Sequence, residues 1–217
     1  MTRKTQKKLR KLLTLVSCAV LLVCVTVVGT VAYLTAKETV TNTFVVGNIQ
    51  MKLDEADVDN SSTDKDRDQN NTYNHIKPND VLEKDPIVWL QKNSEKAYVF
   101  IQVTNEIAGL EVVNDSTKPT IATQITTNGW TKLNDNGVYY KTVDASTMNA
   151  SEKEGYTDYI ELATFDKVYI SSTIDNATLQ NYNNKTVSVV AYAIQYDGFE
   201  NNVNGAWTAV QNAYTAA

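Results

Sequence analysis

"AYVFIQV" (residues 97–103) decides the fold. Ala97, Val99, Ile101 and Val103 make one alternating set, while Tyr98 and Phe100 lie in the other, so a strand here is apolar on both faces. Such a strand belongs inside a sheet, with cover above and below. Upstream, "NIQMKL" (48–53) alternates Ile49, Met51 and Leu53 with Gln50 and Lys52, the period-two mark of a half-buried strand. Downstream, "GWTKLNDNGVYYKTV" (129–143) reads as a hairpin, because Asn136-Gly137 readily supplies the positive φ angles of a tight turn. "KVYISSTI" (167–174) and "KTVSVVAYAIQY" (185–196) are two more strands. Pro78, Pro86 and Pro119 fall at strand ends or in loops, where a missing N–H does no harm. These features predict an all-β chain folded as an antiparallel β-sandwich.

Two stretches stand outside that pattern. "DEADVDNSSTDKDRDQNNTYN" (54–74) is acidic and almost free of large apolar groups, which predicts a long exposed loop. The tail "GAWTAVQNAYTAA" (205–217) spaces Trp207, Val210 and Tyr214 at three and four residues. That spacing fits a short helix lying on the sandwich, and it fits a frayed end equally well.

The N-terminus divides into parts of different character. Six basic residues (Arg3, Lys4, Lys7, Lys8, Arg10, Lys11) precede an uncharged run from Leu12 to Ala36. A basic start, an apolar stretch and small residues at its end form a secretory signal. Small side chains one and three residues before the bond place the cut between Ala32 and Tyr33, with Thr30 in the second pocket. The apolar run also exceeds the ~20 residues that span a bilayer, so a retained membrane anchor is the competing reading. "LVSC" (15–18) would pass as a lipidation box, but the apolar stretch before Cys18 is short for one.

The predicted organisation is a signal segment over 1–32, an arm over 33–47, and a sandwich domain over 48–217 carrying the acidic loop. Both cysteines, Cys18 and Cys24, precede the cut, so the exported chain has no disulfide framework. Cleavage leaves 14 basic residues against 25 acidic ones, a net charge of −11. That balance offers no basic stripe to a nucleic acid, and none is expected as a partner. Contact with a membrane is expected through the signal segment alone, before cleavage.

Three stretches carry a family resemblance. "GTVAYLTAKETVTNTFVVGNIQMKLDE" (29–55) is similar to the export junction of the TasA and camelysin family, whose precursors are cut by the SipW type of signal peptidase. "IKPNDVLEKDPIVWLQKNSEKAYVFIQV" (76–103) resembles that family's Lys-Pro-Gly-Asp turn and two core strands, with Asn79 in place of the glycine. "VSVVAYAIQYDGFENNVNGAW" (187–207) is similar to its last strand and terminal segment. The resemblance implies a jelly-roll-like sandwich, secreted by a Gram-positive bacterium, that builds or decorates extracellular matrix fibres in biofilms. It further implies that an N-terminal strand of one subunit adds to the next. Cleavage would free such an arm, and a free arm can pair its backbone with an open sheet edge. Within it, Phe44 and Val46 are the candidate anchors, with Thr43 and Val45 facing outward; the same residues also suit the first core strand of their own domain.

Chemistry is sparse. Some camelysins are labelled metalloproteases, yet a zinc peptidase needs about three protein ligands and a base. This chain has one histidine, His75, in "YNHIKP". No nucleophile elbow and no cysteine of the exported part offers covalent catalysis. No enzyme activity and no cofactor are expected. In "DKDRDQN" (64–70), Asp64, Asp66 and Asp68 alternate like a calcium loop, but the glycine at position six and the glutamate at position twelve are replaced by Gln69 and His75. A solvated charge run accounts for them as well. The readings left standing are a fibre subunit, a membrane-anchored monomeric adhesin or ligand-binding module, and, remotely, a peptidase.

Overall fold

The computed structural model of the chain describes residues 35–38, 49–59 and 67–215, with the backbone alone at 35–38 and 215. Its strands are β1 (Thr35–Glu38), β2 (Met51–Ala56), β3 (Arg67–Asp68), β4 (Val81–Glu83), β5 (Ile87–Gln91), β6 (Ala97–Asn105), β7 (Thr131–Lys132), β8 (Val138–Val143), β9 (Tyr159–Ala163), β10 (Lys167–Tyr169) and β11 (Val187–Gln195). Three helices, α1 (Ile121–Thr127), α2 (Asn176–Gln180) and α3 (Val203–Thr215), complete the elements used below. One sheet runs β1-β11-β6-β8-β7, a second runs β3-β2-β5-β9, and β10 pairs with β4. Every pairing is antiparallel, and the chain passes repeatedly from one large sheet to the other, as in a jelly-roll-like sandwich.

The two faces of β6 explain the layers. Ala97, Val99, Ile101 and Val103 enter the core between the sheets, where they join Met51 and Leu53 of β2 and Val88 and Leu90 of β5. Tyr98 and Phe100 point the other way, into a second core closed by Trp207 and Val210 of α3. Phe100 is fully buried, its ring centroid 5.2 Å from that of Trp207. The three-and-four spacing of the tail is therefore a helix, started by Asn202, whose Oδ1 accepts from the Gly205 amide at 3.0 Å.

Some expectations need amending. The hairpin exists, with Thr131 opposite Tyr140, but Leu133 is the last residue bonded across it and the turn is longer than two residues. Gly137 alone takes positive φ (73°), and its carbonyl accepts from the Val103 amide at 2.9 Å. Residues 167–174 form a shorter strand than predicted, three residues followed by a bridge between Ile170 and Glu111. Asn79 does take left-handed backbone, φ 67°, as asparagine tolerates better than most residues.

The stretch 54–74 is not one exposed loop. β2 continues through it to Ala56, and β3 returns beside it with Glu55 opposite Asp68 and Ala56 opposite Arg67. Glu55 and Arg67 are 5% and 6% exposed. Charged residues can be buried in this way when each has a partner of opposite charge, and here Glu55 pairs with Lys84 and Arg67 with Asp54 and Asp85. The signal segment 1–32 and the residues Ala32, Tyr33, Thr43, Phe44, Val45, Val46, Asp64 and Asp66 lie outside the described residues. Among the described residues, no helix is long and apolar enough to cross a membrane.

Candidate functional site

β11 has nine residues, and each is paired with β6, from Val187 opposite Asn105 to Gln195 opposite Ala97. Its other edge is shorter of partners. β1 pairs there with four residues only, Thr35 opposite Ile194 through Glu38 opposite Ala191. Among the described residues, Val187–Val190 thus have a strand partner on one side alone. α3 lies against β1, β11 and β6, so the short outer strand is held from one face as well as along its edge.

Beside the half-paired edge lies a cleft of about 1000 Å3. Leu53, Ile76, Leu82, Leu110, Val187 and Val189 give it apolar lining, while Asp68 to His75, Gln180 and Tyr182 to Thr186 supply much of the rest. A strand edge that the described residues leave half-paired, next to apolar pockets, offers what an added β-strand requires: backbone groups to pair with, and room for alternate side chains.

The polar side of this region is tightly bonded. Arg67 forms an ion pair with Asp54 and another, at 3.1 Å, with Asp85, and it donates to the carbonyls of both residues. Burial alone would lower the Arg67 guanidinium, but the two carboxylates outweigh it and hold the group above its ordinary value. Its guanidinium carbon sits 5.6 Å over the ring of Trp89, whose indole N–H donates to Asp54 at 2.7 Å. Glu55 takes both carboxylate oxygens to Lys84, at 2.9 and 2.7 Å. Burial, then the charges of Glu55 and Asp85, push the nearby Tyr73 phenol up.

Of the residues singled out for calcium, Asp68 is placed, and among the described residues it gathers with Asp57 and Asp59. One carboxylate oxygen of each lies within 4.8 Å of the others. These oxygens also serve the loop's own backbone: Asp68 accepts from the Gln69 amide at 2.6 Å and Asp59 from the Thr72 amide at 2.5 Å. His75 is an exposed residue with positive φ (59°), in keeping with a turn.

No protein-family model, no curated protein and no solved structure matches the chain. What the site can do rests on its own geometry, and its most distinctive feature is the half of the β11 edge that has, among the described residues, a strand partner on one side alone. The sequence alone pointed to an arm that could donate a strand, but not to the edge that would accept one. Which edge is left open depends on strand order, and strand order cannot be read from a single sequence.

Proposed function

We propose that the chain is a secreted structural protein of an extracellular biofilm matrix, assembling into fibres by N-terminal strand donation once its signal segment is removed. The observation that carries this reading is the place of β1. It belongs to the arm predicted over 33–47, and it adds to the edge of β11 through backbone pairing. That pairing makes no demand for one particular copy of the chain, so the arm of a second molecule can occupy the same edge. In the fibre, Phe44 and Val46 fill apolar pockets of the accepting cleft, and pairing extends over Val187–Val190. The resemblance of residues 29–55, 76–103 and 187–207 to the TasA and camelysin family supports the same assignment. Its partners are further copies of itself and, during export, a signal peptidase; the acidic balance argues against nucleic acid.

A second reading is favoured by the same strand. β1 fills the edge of its own sheet, which suits a closed, membrane-anchored monomer serving as an adhesin or binding module. N-terminal sequencing with negative-stain microscopy of protein recovered from culture separates the two. A terminus at Tyr33 with filaments, lost in a Phe44→Ala/Val46→Ala variant, supports strand donation. An intact terminus in the membrane fraction without filaments sinks it and favours the anchored monomer.

A further inference from the structure

Lys84, Glu55 and Asn71 meet beside the cleft in an arrangement that exceeds the needs of an ion pair. Lys84 Nζ lies 2.9 Å from Glu55 Oε1 and 2.7 Å from Oε2. Asn71 Nδ2 donates to the same Oε1 at 3.0 Å and to the Ala56 carbonyl at 2.8 Å. The Val58 amide donates to Asn71 Oδ1 at 2.8 Å. Every polar position of the asparagine amide is thereby fixed, and its nitrogen and the lysine amine share one carboxylate oxygen. The side chains of Glu55 and Lys84 are only 6% and 13% exposed.

We propose that Lys84 and Asn71 are joined by an intramolecular isopeptide bond, with Glu55 as the catalytic proton carrier. Lys84 passes a proton to Glu55, and the neutral amine attacks Asn71 Cγ. The displaced electron pair moves onto Oδ1, where the Val58 N–H stabilises the developing charge. As the intermediate collapses, the Nζ–Cγ bond is kept and the Cγ–Nδ2 bond breaks. Glu55 relays to Nδ2 the two protons that leave Nζ, so nitrogen departs as ammonium and the carboxylate is restored. No electrons are gained or lost, and no co-reactant is required. Hydrogen bonds that hold Asn71 and Lys84 against Glu55 of β2 supply the proximity that lets an otherwise unreactive amide be attacked. Because all three residues line the cleft, the ammonium has a way out. The bond closes the loop from Asn71 to Lys84, giving a domain whose cysteines both lie in the first 32 residues a covalent tie of another kind.

Tryptic mapping of the folded full chain by tandem mass spectrometry tests this without reference to assembly, since monomer and fibre give the same peptides. Pro78 protects the Lys77 bond, so an unlinked chain yields Asp68–Lys84 at its sequence mass. The expected result is Asp68–Lys92, uncut at Lys84, lighter by one ammonia, and giving no fragment ions between Asn71 and Lys84. K84R and E55Q restore the full mass, and N71D loses water in place of ammonia. Recovery of Asp68–Lys84 at full mass from the wild-type chain overturns the proposal. So does an ammonia loss that leaves Lys84 cleavable, which would mark a succinimide at Asn71. Retention of the link in E55Q overturns the role given to Glu55.

Discussion

Tyr156 donates its phenolic hydrogen to Asp54 Oδ2, a residue 102 positions away in sequence. Its ring lies 4.1 Å from that of Trp89, centroid to centroid, so one side chain both bonds the carboxylate and covers the indole. With Arg67 also over its ring, Trp89 is fully buried although it faces away from the core between the sheets.

Removing Arg67 should therefore be costly. Arg67→Ala leaves Asp54 and Asp85 facing one another without their shared cation and uncovers Trp89. Breaking one partner of a buried pair typically costs about 3–5 kcal/mol. Asp85 is a third exposed, which places the expected loss at the lower end, about 3 kcal/mol. Urea unfolding followed by tryptophan fluorescence reads it as a lower midpoint at unchanged slope, and a midpoint within error of wild type would refute the claim.

The second core predicts a coupling between the ends of the chain. Trp207 is 7% exposed and sits against Phe100 and Tyr192, while its helix also lies against β1. Trp207→Ala should lower stability by about 3–5 kcal/mol. Beyond that loss, hydrogen exchange at Thr35–Glu38 should quicken more than exchange within β6. Equal protection loss in both strands would mean that α3 does not hold β1.

Gly137 is predicted to tolerate no side chain. A Cβ there would lie 2.2 Å from the Val103 carbonyl oxygen, and the residue takes positive φ (73°). Gly137→Ala must move β6 or abandon the turn, at a cost of at least about 2 kcal/mol. Thermal unfolding should show a clearly lower Tm, with Gly155→Ala, whose Cβ would meet nothing within 4 Å, as the milder comparison.

Glu111 gives the fold a pH dependence of defined sign. Burial raises its carboxyl group, offset in part by hydrogen bonds from the Ile121 amide and Asn105. A carboxyl group raised in the fold keeps its proton to higher pH there than in the unfolded chain. Between the ordinary value of 4.5 and the raised one, the folded state binds more protons, so this residue's contribution to stability falls as pH rises and levels off above. The difference in unfolding free energy between wild type and Glu111→Gln should follow that course. A difference constant across pH 4 to 8 would contradict it.

How much of this could be read from the chain depends on how local each signal was. β6 announced both of its faces within seven residues, and Trp207, Val210 and Tyr214 kept a helical spacing that the packing of α3 then used. β9 carried an equally plain alternation, with Ile160 and Leu162 buried around exposed Glu161, but it spans only five residues and is not among the predicted strands. α1 was hidden by its composition, since Ile121–Thr127 is rich in β-branched residues that favour strands. It is a helix because Thr120 caps it, Glu111 accepts from the Ile121 amide, and Gln124 ties it to Pro119 and Lys167. The burial of Arg67 had no local sign at all. A run of alternating charges looks solvated until the fold brings Asp85 and Trp89 to it.

The interior position of β11 bears on the order in which the chain can fold. β11 is the last strand in sequence, yet it stands between β1 and β6. It supplies Val189, Ala191 and Ala193 to one core and Ile194 to the other. A chain emerging N-terminus first therefore leaves β1 without its sheet, and both cores open, until residues near the C-terminus arrive. Contacts this distant in sequence make for slow folding. Truncation before Val187 should abolish the native state as a whole instead of trimming it.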